Sequence, residues 1–108
     1  MYKVEFTKIH LAPFVLPGLA NYDDYRTARR GKVLGSAEVD DAAVNARAAK
    51  SKTGTVQSAA DLAAAAVCGD GAVFATNCQA GQDGVYQCFG RFSGGKGLGP
   101  VCATITKI

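Results

Sequence analysis

Three observations predict an α+β fold for this chain. The N-terminal residues alternate apolar and polar side chains at the period of a half-buried strand. The middle is rich in alanine, the strongest helix former. The last third carries every cysteine, Cys68, Cys78, Cys88 and Cys102, among aromatics and glycines spaced as short strands and turns. The expected architecture is an N-terminal strand and extended arm, two short Ala-rich helices, and a C-terminal three-stranded antiparallel meander stapled by disulfides. Residues 1–108 read as a single domain in three parts. These are a strand plus apolar arm over 1–20, a helical and basic segment over 21–67, and a Cys/Gly-rich β-meander over 68–108.

The opening strand runs from Tyr2 to Ile9, with Tyr2, Val4 and Phe6 on one side and Lys3, Glu5 and Thr7 on the other. Pro13 and Pro17 exclude both a central ladder position and a helix interior, so Leu11 to Leu19 is an extended arm or edge segment. An apolar arm needs a surface to lie on, either this domain's own core or a neighbouring subunit. Asn21 to Val33 is polar and basic and reads as a short helix or an ordered loop around Gly31. Ser36 is placed to cap a helix from about Ala37 to Lys50, with Glu38, Asp40 and Asp41 early and Arg47 and Lys50 late, as the helix dipole favours. Val39, Ala43 and Ala46 give it a narrow apolar stripe. A second start at Ser58 and Asp61 predicts a helix to about Val67, ended by Gly69, with a small face of Ala59, Leu62, Ala63 and Ala66.

Strands are expected over about 72–78, 85–92 and 101–107, with Asp83-Gly84 as the first turn and Gly94 to Gly99 as a looser second one. At about 3.3 Å per residue, a strand carries Cys78 roughly 20 Å from Cys68, while folding back at Asp83-Gly84 brings Cys88 to Cys78. Of the three possible connectivities, this favours Cys78–Cys88 with Cys68–Cys102. Parity supports it if Phe74, Cys78, Tyr86, Cys88, Phe92 and Cys102 share one face. An even number of cysteines in a short chain fits an extracellular or virion setting, where disulfides persist. Buried reduced thiols are the plainer alternative. Gaps of nine, nine and thirteen residues do not suit a zinc site, which takes closely spaced pairs.

At 48% hydrophobic content, much of it alanine, the core alone is marginal, and each disulfide would add about 2–4 kcal/mol. The formal charge of +3 permits an anionic partner without demanding one. No apolar run is long enough for a membrane-spanning helix, so no membrane span is expected. Gly18-Leu19-Ala20 has the form of a cleavage site, but Glu5 and the prolines count against a signal peptide.

Candidate chemistry is sparse. Gly90 to Gly97 matches the start of a phosphate-binding P-loop, but Gly97 stands where a hydroxyl must hold magnesium and Leu98-Gly99-Pro100 does not open a helix. His10 is the lone histidine, with no orienting partner in view. Asp23-Asp24 and Asp40-Asp41 are neighbours that point apart and read as solvated or capping residues. No catalytic residue, cofactor or metal is expected.

The expected role is a non-catalytic structural or assembly subunit of an extracellular or virion-like particle. It would meet other protein subunits, its own copies or others, through an arm anchored by Phe14, Val15 and Leu16. One alternative is a small nucleic-acid-binding module in which Tyr22 and Tyr25 stack on bases while Arg26, Arg29 and Arg30 neutralise phosphates. Another is a secreted, disulfide-stabilised toxin or inhibitor that probes a target with the Gly94 to Gly99 loop.

Overall fold

The computed structural model describes residues 1–15, 21–52, 54–69, 73–80, 85–93 and 99–108. Its elements are β1 (Tyr2–His10), α1 (Tyr22–Arg26), β2 (Arg29–Val39), α2 (Asp41–Ser51), α3 (Thr55–Cys68), β3 (Val73–Ala80), β4 (Val85–Ser93) and β5 (Gly99–Lys107). The strands form one five-stranded sheet in the order β2-β1-β5-β4-β3, and every neighbouring pair is antiparallel. The α+β class and the C-terminal meander are as expected. The first strand joins that meander through β5, with Tyr2 opposite Lys107 and Lys8 opposite Val101. The two ends of the chain therefore lie side by side within the sheet, and the Ile108 N–H donates to the Met1 carbonyl at 2.9 Å.

The segment between β1 and α2 departs from expectation. Residues 29–39 are strand β2, not a loop leading into a helix capped by Ser36. Val39 pairs with Tyr2 and Ala37 with Val4, so β2 extends the buried face of β1. That tertiary pairing outweighs the local helix signals. The register slips between Phe6 and Thr7 and again between Thr7 and Ile9. Each slip breaks the period that would mark a strand in the sequence. The helix instead begins at Asp41, behind an N-cap Asp40 whose carboxylate accepts from the Ala42 N–H at 3.3 Å. Its buried residue is Val44, while Ala43 and Ala46 of the expected stripe are exposed. α3 starts one turn earlier than expected, at Thr55 behind Gly54, which places Ser58 inside the helix and fully buried.

Both long helices cover one face of the sheet. Val4 and Phe6 of β1, Val101, Ala103 and Ile105 of β5 and Cys88 of β4 pack with Val44 of α2 and with Ala59, Ala60, Ala63 and Ala64 of α3. Alanine carries little apolar area, but it lets a helix axis come close to the sheet. Gly35 serves the same approach: a Cβ there would lie 3.1 Å from Cγ1 of Val67, so a side chain would push α3 off β2.

Cys78 and Cys88 are directly opposite in the β3–β4 ladder, and Cys88 is disulfide-bonded. The side chain of Cys78 lies outside the described residues. The expected Cys68–Cys102 bridge does not form: both residues are buried thiols. Parity explains it, because Ala103, not Cys102, is opposite Cys88. Cys68 closes α3 against the helix-covered core, whereas Cys102 lies across the sheet with Ile9, Tyr25 and Phe89. The Asp83-Gly84 turn falls outside the described residues, as does the loop from Gly94 as far as residue 98. No helix among the described residues is long and apolar enough to cross a membrane.

Candidate interaction site

Among the described residues, the outer face of the sheet is covered at the end where Ile9, Phe89 and Cys102 lie. β1 ends at His10 and β2 begins at Arg29 directly opposite, so the intervening chain must leave and return at the same corner. It leaves through a turn in which the Val15 N–H donates to the Ala12 carbonyl at 2.9 Å, with Pro13 where its fixed φ suits the first corner. The turn holds Phe14 outward, 86% exposed, while Val15 is half-buried. Leu16, the third expected anchor, lies outside the described residues.

The chain returns through α1, a single short helix fixed at both ends. At its start the Asp24 N–H donates to Asn21 Oδ1 and the Asn21 N–H donates to Asp24 Oδ2, each at 2.9 Å. This capping box was readable from Asn21 and Asp24 three residues apart. At its end the Thr27 hydroxyl donates to the Asp23 carbonyl at 2.8 Å. Tyr25 then turns down onto the sheet, its ring near-parallel to Phe89 with centroids 6.3 Å apart. The Arg30 guanidinium lies over Phe89, 5.3 Å from the ring centroid. Ile9 and Cys102 complete this second, smaller cluster.

Between arm and helix lies an open cleft of about 430 Å³. His10, Leu11, Phe14 and Val15 form one wall, and Asp24, Thr27, Ala28 and Arg29 form the other. Gly31 lies against His10, where a Cβ would fall 2.5 Å from Nε2. The sequence does not announce this site, because it depends on the pairing of His10 with Arg29 across two bulges.

The residues expected to contact nucleic acid do not converge. Tyr25 is buried with its ring on Phe89, and the side chain of Tyr22 lies outside the described residues. Arg26 pairs with Asp23 at 3.4 Å. Arg29 and Arg30 are exposed, the first on the cleft and the second on Phe89. The P-loop-like segment begins inside β4 and is followed by β5, where a phosphate site would need a helix.

The ionisable groups outside the cleft have local work. Asp41 accepts the α-ammonium of Met1 at 2.7 Å, which holds its carboxyl below the usual value. Asp61 reaches Arg47 at 3.7 Å, but burial dominates and raises its pKa. Burial also pushes the Cys102 thiol up, against the opposing influence of Arg30 and Thr104. Among the described residues no group of three or more His, Cys, Asp or Glu is placed to hold a metal ion.

Fold and site together define an α+β protein with a five-stranded antiparallel sheet, two helices on one face and a corner cleft beside an outward-facing phenylalanine. Compared with protein-family models, curated proteins and solved structures, the chain matches none.

Proposed function

We propose that this chain is a non-catalytic structural or assembly subunit of an extracellular or virion-like particle, working through protein contacts at the arm. One observation carries the reading: Phe14 is 86% exposed at the tip of a hydrogen-bonded turn. Leaving a phenylalanine in water forgoes about 1.5–3 kcal/mol of burial, which a partner surface would recover. The neighbouring edge strand β2 carries exposed Arg29, Arg30 and Lys32 and two register shifts, features that discourage strand addition. Docking through the arm and cleft is therefore favoured over strand addition at the β2 edge. A Cys78–Cys88 bond would brace the edge strand β3 against β4, as suits a subunit that keeps its shape in an oxidising setting.

Nucleic-acid binding keeps one supporting observation, the exposed cations Arg29, Arg30 and Lys32 along the start of β2. With Tyr25 stacked on Phe89, stacking on bases loses one of its two proposed platforms. Salt-sensitive binding of single-stranded oligonucleotides would favour this reading.

Sedimentation velocity from micromolar to millimolar concentration tests the assembly reading. Concentration-dependent association is expected. A chain that stays monomeric throughout, alone and in mixtures with any co-purifying subunit, would overturn it.

A further inference from the structure

We propose that the arm's partner is a second copy of this chain, joined about a two-fold axis so that Phe14 of each copy seats in the other's cleft. The inference rests on the assembly reading above and names its partner. A two-fold contact uses one patch twice, so that patch must complement itself in shape and in charge.

The corner patch does both. In shape, it carries a projection and a recess side by side: Phe14 points outward from the wall of a cleft of about 430 Å³. The turn closed by the Val15 N–H and the Ala12 carbonyl sets Phe14 at the cleft's wall, 86% exposed, where a second molecule can reach both ring and recess. In charge, the cleft carries one carboxylate and one guanidinium, Asp24 and Arg29. They form no ion pair with each other, and Arg29 pairs with no other carboxylate among the described residues. Asp24 uses Oδ2 on the Asn21 N–H, which leaves Oδ1 for a partner. A two-fold axis through the patch brings Asp24 of each copy to Arg29 of the other, giving two ion pairs at the rim of two seated phenylalanines. A second copy supplies the matching charges and ring by symmetry.

Photo-crosslinking tests the geometry. Phe14 is replaced by p-benzoylphenylalanine in a ¹⁵N-labelled chain, mixed with unlabelled wild-type chain and irradiated, and mixed-isotope cross-links are mapped by mass spectrometry. Cross-links from position 14 of one copy to residues 24–29 of the other are expected. Arg29→Asp, which touches neither the α1 cap nor the core, is expected to weaken self-association about tenfold. If the chain associates but its cross-links map elsewhere, or if Arg29→Asp associates as wild type does, this pairing is wrong and the assembly reading stands. A chain that is monomeric in the sedimentation series removes both.

Discussion

The two faces of the sheet are built from the same strands but held by different amounts of structure. On one face Val4, Phe6, Val101, Ala103 and Ile105 are sealed under two alanine-rich helices. On the other, Ile9, Phe89 and Cys102 are closed among the described residues by Tyr25 of the short α1, with Leu11 and Ala28 beside it. Neighbouring residues of one strand thus enter different environments, Cys88 the helix-covered core and Phe89 the outer cluster. Stability should therefore concentrate on the first face, while the second is free to open locally and to present the arm and cleft.

The sharpest way to break this comparison is to empty each face in turn. Phe6→Ala removes a fully buried ring from the helix-covered core and is expected to cost about 3–5 kcal/mol in urea unfolding. Tyr25→Ala strips the outer cluster of its cover and is expected to cost about 1–2 kcal/mol, with faster amide exchange in α1 and none added in α3. Equal losses from the two substitutions would show that the faces fold as one unit.

Thiol counting sharpens the contrast chemically. In denaturant without reductant, alkylation is expected at Cys68 and Cys102 alone, and with reductant at all four cysteines. In the folded chain Cys102 should react slowly, since burial both shields its sulfur and disfavours the thiolate. Four labels without reductant would remove the proposed Cys78–Cys88 brace.

The smallest effects concern the two carboxylates with shifted pKa. Asp61 is raised, so the folded state binds its proton more tightly than the unfolded chain does. Its contribution therefore falls as pH rises through the window above 3.8 and recovers on acidification. Asp41 is lowered by the Met1 ammonium, so its contribution is present above 3.8 and is lost as pH falls through its depressed value. Asp61→Asn should flatten the first dependence and leave the second, measured as urea midpoints between about pH 3 and pH 6.

The sequence showed most plainly what local chemistry repeats without interruption. β1 was visible in the alternation of Tyr2, Val4 and Phe6, α3 in its run of alanines, and the meander in its spaced turns. β2 was hidden because two bulges break its period and Gly31 and Gly35 resemble turn residues. With β2 unseen, the pairing of His10 with Arg29 could not be drawn, and the cleft depends on that pairing. Phe14 was marked as an anchor by its place between two prolines, but the opposed charges of Asp24 and Arg29 needed the fold to bring them to one site. The cysteines divide the same way. Cys78 and Cys88 follow from one hairpin, whereas the placement of Cys102 turns on a single step of register between β4 and β5.

The central claim, that a rigid helix-covered sheet carries a contact surface at its opposite corner, is tested most directly by amide hydrogen exchange at two protein concentrations. Raising the concentration should slow exchange in residues 11–15 and 24–29 and leave β5 and α3 unchanged. Identical exchange at both concentrations in the arm and cleft, or slowing that falls on α2 and α3 instead, would contradict it.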